Sequence, residues 1–300
     1  MLLPLLRLAL VASLMLGAPL SQAGQLAIII DDIGYSASLG KRSLNLPGEF
    51  TFAVLPHAPH GARLAREGAA LGKEIMLHNP MSNIRNLPLD AGALASGMTH
   101  RDFIRTLEEN LRTIPEARGL NNHMGSQLTQ ESEPMGWLMQ YLGDHGYYFI
   151  DSRTTADSQA WETARRYRIP TLKRDVFLDH ERSVEGVLRQ LEQAIELART
   201  RGYAIAIGHP YPETLMVLEQ INPLLTDAGV TLVPISALLD RPGEPPPTAG
   251  RSCLAPPLSL WRPPSGSQSM ASGPDGLTQD LSPLVTERRP YRLSQHLLLN

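Results

Sequence analysis

The sequence predicts an α/β protein built as a barrel of parallel strands. Between residues 25 and 239, short apolar runs alternate with longer amphipathic stretches, about seven or eight times, which is the pattern of a parallel sheet. Polar residues directly follow several of the apolar runs, as they would around the rim of a closed or partly closed barrel. An open doubly wound sheet is the alternative. It has less support because no glycine-rich phosphate-binding fingerprint follows the first strand.

The first strand and the two acids that follow it are the centre of the prediction. The run Leu26–Ile30 is continuously apolar, which is typical of a strand buried on both faces. Asp31 and Asp32 come directly after it, and burying two carboxylates costs too much to serve packing alone. They indicate an active site at the carboxyl end of the strand. The alternative is that one of them caps a following helix.

The other elements follow in order. We predict further strands at residues 50–55, 74–77, 119–122, 147–150, 203–207 and 230–233, with a weaker candidate at 169–172. Helices are expected around Leu64, after the capping pattern Thr99-x-x-Asp102, from about 133, over 158–167, over 183–201, and from Pro212. Each strand is thus followed by a helix or a long connection, as the barrel requires.

Both ends of the chain differ from this pattern. Residues 1–23 contain Arg7, the apolar run Leu8–Leu16 and the small-x-small site Ser21–Ala23, which together predict a cleaved signal peptide. We therefore expect export to the periplasm, with a single membrane anchor as the alternative. Residues 241–300 hold 11 of the 25 prolines and little periodicity, which predicts a disordered tail. The catalytic domain is expected within residues 24–240.

Composition excludes some classes of protein. The chain has 300 residues and is 42% hydrophobic, enough for a sizeable core. Its formal net charge of -3 gives no basic field for nucleic acid. Cys253 is the only cysteine, so neither an internal disulfide nor a cysteine metal cluster can form.

Polar residues at the strand ends suggest a metal-dependent hydrolase. The set consists of Asp31, Asp32, His78, His123, Asp151 and His209. One carboxylate and two imidazoles can hold Zn²⁺ with a position left for water, whose pKa then falls to about 7. A second carboxylate can act as general base, and another histidine can protonate the leaving group. Because neighbouring side chains on a strand point differently, the two aspartates could divide these roles.

Several of these segments resemble one enzyme family. The segment Ile30–Gly34 resembles the Asp-Asp motif that opens the polysaccharide deacetylases of carbohydrate esterase family four. Gly72–His78 is similar to the second motif of that family, and Ile205–His209 is similar to its last motif. With Asn121–Ser126 and Asp151–Arg153, the set is closest to the divergent polysaccharide deacetylase branch, over about residues 26–239.

The resemblance implies a distorted (β/α)7 barrel that removes acetyl groups from N-acetylated sugars such as those of peptidoglycan. It implies Asp31 as general base, Asp32 and His78 as ligands of a divalent metal, and His209 as general acid. Zn²⁺ is the expected ion because mixed nitrogen and oxygen ligation suits it.

Two departures from the family pattern leave the activity open. The second motif normally carries another histidine four residues after the first, where this chain has Ser82, and the usual Arg-Pro-Pro motif is missing. We hypothesise that His123 supplies the third metal ligand instead. The alternative is a non-catalytic, glycan-binding or scaffolding protein of the cell envelope that keeps the fold. A metal phosphodiesterase is less favoured because a two-metal site needs more carboxylates.

Some polar residues admit two interpretations. Asp151 either orients a ligand histidine or caps the next turn. Arg153 either binds an anionic sugar or, more in keeping with its position, pairs with Asp151. Asp175 and Asp179 are expected in a solvated loop rather than at the substrate, and His57 on the surface or in the core.

Overall fold

The computed structural model describes residues 23–239. The predicted tail, and the predicted signal peptide apart from Ala23, lie outside the described residues. The strands are β1 Gly24–Ile33, β2 Thr51–Val54, β3 Glu74–Met81, β4 Gly119–Met124, β5 Tyr148–Asp151, β6 Thr171–Lys173, β7 Val176–Phe177, β8 Tyr203–Gly208 and β9 Val230–Leu232. The helices are α1 Ala37–Leu44, α2 Gly61–Ala70, α3 His100–Thr113, α4 Ser132–His145, α5 Ala160–Arg166, α6 Val184–Arg201, α7 Pro212–Leu218, α8 Ile221–Ala228 and α9 Ser236–Leu239.

The strands form one parallel sheet that curves into a half-barrel with helices around it. The strand order is β6-β5-β4-β3-β2-β1-β8-β7, and β9 pairs with the start of β1. The two outer strands, β6 and β7, are consecutive in the chain and are separated only by Arg174 and Asp175. The backbone amide of Arg174 donates to β5 at Asp151, and that of Asp175 donates to β8 at Ile205. This short segment therefore joins the two edges, and the α/β barrel fold is confirmed.

Strand β1 is an inner strand of the sheet between β2 and β8, and its side chains alternate between two cores. Leu26, Ile28 and Ile30 pack between the sheet and the helices, whereas Ala27 and Ile29 face the barrel interior. This alternation follows from the two-residue period of a strand. The interior face therefore continues directly into Asp31, which is almost fully buried.

Residues at the predicted ends of two helices act as helix caps in the structure. Thr99 caps α3, and its hydroxyl oxygen accepts a hydrogen bond from the amide of Asp102. Ser183 caps α6 in the same way, and Gly202 ends that helix in a left-handed conformation. Helix α1 and strand β7 were not predicted, because a short helix and a two-residue strand are too short to show periodicity. No helix within residues 23–239 is long and apolar enough to cross a membrane.

A buried polar cluster closes the amino-terminal end of the barrel. Glu74 accepts a hydrogen bond from the Tyr148 hydroxyl at 2.6 Å and another from the Ser236 hydroxyl. The amide of Ile235 donates to the Thr51 hydroxyl at 3.0 Å. Through these bonds the last described residues, including α9, cover the end of the barrel opposite the strand-end residues.

Candidate metal centre

A break in the alternation of β1 directs both aspartates towards the same place. The pairing of β1 with β2 shifts register between Ile30 and Ile33, and both of these residues face the helix side. Asp32 takes the left-handed conformation with φ 55°, which aspartate tolerates better than most residues. The extra residue lets Asp31 and Asp32 both reach the carboxyl end of the barrel, rather than opposite faces.

Three donor atoms from three strands converge there. Oδ1 of Asp32 lies 2.9 Å from Nδ1 of His123 and 3.1 Å from Nε2 of His78. The two imidazole nitrogens are themselves 3.1 Å apart. All three side chains are at most 11% exposed. The predicted metal ligands are therefore neighbours, and their ligand role stays a prediction.

Hydrogen bonds behind His78 determine which of its nitrogens faces the cluster. Asn121 lies opposite His78 in the pairing of β3 with β4. Its amide nitrogen donates to Oδ1 of Asp31 at 2.8 Å, so its amide oxygen faces Nδ1 of His78 at 2.7 Å. Nδ1 must then carry the proton, which leaves the lone pair of neutral His78 on Nε2, directed at the cluster.

A carboxylate determines the orientation of His123 in a similar way. Oδ2 of Asp90 lies 3.1 Å from Nε2 of His123. A carboxylate accepts hydrogen bonds, so Nε2 carries the proton of the neutral ring, and in that form Nδ1 presents its lone pair to the cluster. The hydroxyl of Tyr35 also donates to Asp90.

These arrangements fit a divalent cation. Oδ1 of Asp32 is buried and makes no well-aligned hydrogen bond within the described residues. Three electron-rich atoms about 3 Å apart repel one another unless a proton or a metal ion lies among them. Their spacing is close to the roughly 3.3 Å between ligands of a tetrahedral ion with bonds of about 2.0 Å. The donor set, two imidazoles and one carboxylate, is one that catalytic zinc sites use.

His209 lies on the other side of the aspartates and is anchored from behind. Its Nδ1 lies 3.0 Å from Oδ1 of Asp179, and its backbone amide donates to Oδ2 of the same residue at 2.6 Å. The Thr214 hydroxyl donates to Asp179 at 2.9 Å. Nε2 of His209 therefore points into the site, 3.8 Å from Oδ2 of Asp32.

The environment separates the two aspartates chemically. Burial raises the pKa of Asp31, although the charges of His78 and His209 oppose it. Burial acts in the same direction on Asp32, but the charges of His123 and His209 outweigh it and hold the pKa of Asp32 well below its usual range. Asp31 is thus the better proton acceptor, and Asp32 is the permanent anion that a metal requires.

Neighbouring aspartates hold His123 and His209 in their charged forms. Burial would lower the pKa of His123, but the charge of Asp32 and its contact with Asp90 raise it to about 10. Burial is likewise outweighed at His209, where the charges of Asp179 and Asp32 raise the pKa to about 9. In the metal-free protein the cluster therefore holds a proton where a metal ion would bind.

The remaining predicted residues lie elsewhere. Asp151 accepts hydrogen bonds from the Ser158 hydroxyl at 2.8 Å and from the amides of Arg153 and Trp161, so it caps the turn after β5. The guanidinium of Arg153 donates to the carbonyl of Ala156, which corrects the expected ion pair with Asp151.

The expectation that Asp179 lies in a solvated loop was wrong. Asp179 is buried and supports His209, because the two-residue strand β7 carries it to the site. Asp175, by contrast, forms an ion pair with Arg201. At the position of the missing histidine, Ser82 is buried, and its amide and carbonyl bond to Leu94, Gln127 and Leu128.

Asn121, Asp90 and Asp179 are the residues that the sequence did not reveal as parts of the site. Asn121 lies in the segment Asn121–Ser126, which resembles the family. Because it precedes His123 by two residues, both side chains lie on one face of a strand, and this spacing could have indicated that Asn121 belongs to the site. Asp90 lies in an irregular loop and gave no such signal.

The fold is a parallel α/β barrel, and a histidine–aspartate cluster lies at its carboxyl end. The family model described as divergent polysaccharide deacetylase matches residues 28–239. The chain belongs to the divergent polysaccharide deacetylase family.

Three uncharacterized proteins are similar to this chain. The uncharacterized protein YibQ of Escherichia coli K12 is 38% identical over 235 residues, which cover 78% of this chain and 73% of that protein. An uncharacterized protein of Haemophilus influenzae is 35% identical over 195 residues, covering 65% of this chain and 70% of that protein. The crystal structure of an uncharacterized protein from Agrobacterium tumefaciens C58 superimposes with a TM-score of 0.69 at 23% identity, covering 74% and 92% of the two chains. The last comparison supports the fold alone.

Proposed function

We propose that this protein is an exported, metal-dependent hydrolase that removes acetyl groups from N-acetylated cell-wall sugars. The observation that carries the proposal is the convergence of Asp32 Oδ1, His78 Nε2 and His123 Nδ1, with a base on one side and an acid on the other. When bound, a divalent ion, with Zn²⁺ preferred, would polarise the acetyl carbonyl and make a neighbouring water more acidic. Periplasmic location is part of the proposal and is supported by the pattern of residues 1–23.

The residues of the chain can handle both protons of the reaction. Asp31 takes a proton from the attacking water as the oxygen–carbon bond forms. Asn121 holds one oxygen of Asp31, which leaves Oδ2 facing the cluster, 3.7 Å from Nε2 of His78. His209 gives its Nε2 proton to the sugar nitrogen as the carbon–nitrogen bond breaks, so acetate and the amine leave.

Asp179 prepares His209 for this step. It binds Nδ1–H of His209, so the second proton of the imidazolium lies on Nε2, where the leaving nitrogen can reach it. Phe177 and Tyr211 pack on the ring of His209, the first edge-on and the second stacked. The ring therefore has little freedom to turn away.

Acetate release tests this proposal. The mature protein, loaded with Zn²⁺, is incubated with N-acetylglucosamine oligomers and with peptidoglycan, and free acetate is measured. We expect acetate from at least one substrate, and loss of at least about 100-fold in rate with Asp31→Asn, because a general base contributes about 10²–10⁴-fold. Bound metal without acetate from either substrate would contradict the reaction.

The second candidate is a glycan-binding or scaffolding role without turnover. Ser82, which stands where the related motif has a histidine, favours this candidate because it belongs to a loop anchor and not to the cluster. Glycan binding by a metal-loaded protein that releases no acetate would support it.

A further inference from the structure

The long connection from β3 to α3, residues 82–99, brings one carboxylate to the back of His123. We call this segment the β3–α3 loop. Its residue Asp90 contacts Nε2 of His123 at 3.1 Å, the ring nitrogen that points away from the three-donor cluster. Tyr35, which follows β1, donates its hydroxyl to the same carboxylate. Asp90 therefore joins two segments that flank the site.

The β3–α3 loop is anchored closely around Asp90. The amide of Leu94 donates to Pro80 at 2.8 Å, and the amide of Ser82 donates to Leu94 at 3.0 Å, so the loop returns to the end of β3. The carbonyl of Gly92 accepts from the side chain of Asn110 at 2.7 Å. Asn110 is fully buried in α3. A side chain two residues from such an anchor has a defined position, in contrast to one on a free loop.

An imidazole can bind a cation through Nδ1 only if that nitrogen carries no proton. The neutral ring has one proton, and an acceptor at Nε2 keeps it there. The carboxylate of Asp90 is such an acceptor, and it also restricts rotation of the ring. Asn121 has the equivalent relation to His78 through Nδ1, so each imidazole of the cluster has a partner on its far nitrogen.

We propose that Asp90, supported by Tyr35, is a positioning residue that holds His123 in the tautomer and orientation needed to bind a divalent metal through Nδ1. The inference rests on the proposed metal centre. It also gives the β3–α3 loop a role. The related motif has a histidine at the position of Ser82, the first residue of this loop. Here the loop instead orients His123, a histidine of the next strand.

The test compares zinc affinities of the full chain. Dissociation constants are measured by competition with a chromophoric chelator for the wild type, Asp90→Ala, Asp90→Asn and the control Asp227→Ala. Asp227 is exposed on α8, so its replacement removes the same charge away from the site. We expect affinity to fall about 10–100-fold for Asp90→Ala, which is the usual loss when the partner of a metal-binding histidine is removed. Asp90→Asn keeps an acceptor oxygen and should recover most of the affinity, and Asp227→Ala should match the wild type.

A second measurement separates positioning from a general structural effect. NMR of zinc-loaded protein with ¹⁵N-labelled histidine reports which ring nitrogen is protonated. The wild type and Asp90→Asn should show a protected Nε2 proton on His123, and Asp90→Ala should lose this protection. Thermal melting of each metal-free variant identifies any that is unfolded, in which case Asp90→Asn carries the comparison.

The outcomes are distinguishable. A wild type that binds zinc together with an Asp90→Ala variant of affinity within twofold overturns the role of Asp90 and leaves the metal centre standing. A wild type that binds no zinc overturns both.

Discussion

Zinc should stabilise this protein, and His123→Ala should abolish that stabilisation. The variant leaves only two of the three donors, Asp32 Oδ1 and His78 Nε2, so the ion loses a third of its protein ligands. Because metal binding is coupled to folding, the loss is visible as a change in melting temperature and needs no knowledge of the substrate.

The expected size follows from mass action. Free zinc at 1,000 times its dissociation constant raises the free energy of unfolding by about 4.1 kcal/mol. For a domain of about 150–250 residues, each kcal/mol moves the melting temperature by about 2–4 °C. The described domain, residues 23–239, falls in this size range. Zinc should therefore raise the melting temperature of the wild type by about 8–16 °C.

Scanning calorimetry of metal-free and zinc-loaded protein measures this shift. The shift of each variant is compared with its own metal-free form, because removing His123 also leaves a cavity and weakens the metal-free fold. His145→Ala serves as control, since His145 is an exposed imidazole on α4. A His123→Ala protein that keeps the full zinc shift would refute the assignment of His123, and loss of the shift in His145→Ala would refute the location of the site.

Three further substitutions probe the parts that support the site. Asp179→Ala leaves both Nδ1–H and the amide of His209 without an acceptor, and should cost about 3 kcal/mol in urea unfolding and at least about 100-fold in any turnover. Tyr148→Phe tests how stability depends on pH. Burial and, after it, the charge of Glu74 raise the pKa of Tyr148 well above its ordinary value of about 10. The wild type should therefore lose up to about 1.4 kcal/mol of stability per pH unit above pH 10, where the unfolded tyrosine ionises and the folded one does not, and Tyr148→Phe should lose less over the same range. Gly92→Ala would place a Cβ 2.2 Å from Oδ1 of Asn110 and should destabilise the protein by about 1–3 kcal/mol in thermal melts.

Each of these has an outcome that contradicts it. Unchanged unfolding of Asp179→Ala would mean that His209 finds another acceptor. Equal alkaline slopes for wild type and Tyr148→Phe would show that Tyr148 ionises normally. Gly97→Ala is the matched control for Gly92, because it has the same positive φ but open space around it, and equal costs for both would rule out the clash.

The part of the site that sequence could predict is the part that follows strand periodicity. His78 follows the apolar run of β3, and His123 lies on the short neighbouring strand β4, so their position near Asp32 follows from parallel pairing. A strand period of two predicts that Asp31 and Asp32 point differently. The register shift between Ile30 and Ile33 instead brings both to the carboxyl end of the barrel, and no local sequence pattern predicts such a shift.

Residues that act through other residues were harder to predict. Asp179 follows a strand of two residues, which is too short to show periodicity, and the sequence around it predicts a solvated loop. Asp90 lies 33 positions before His123, and only the anchored path of the β3–α3 loop brings the two together. Their roles depend on tertiary contacts between distant segments, which single-sequence reasoning does not contain.

The two ends of the described domain both leave it at the edge away from the donor cluster. Gly24 begins β1 at the amino-terminal edge, and α9 closes the same edge beside Glu74. With about 3.3 Å per strand residue, the aspartates lie roughly 25 Å from that edge. An anchor, a fused protein or a solid support joined directly at residue 23 or 239 would be held at the edge opposite the donor cluster. A substrate too large to diffuse, such as an assembled polymer network, could then be approached by the protein rather than drawn into it.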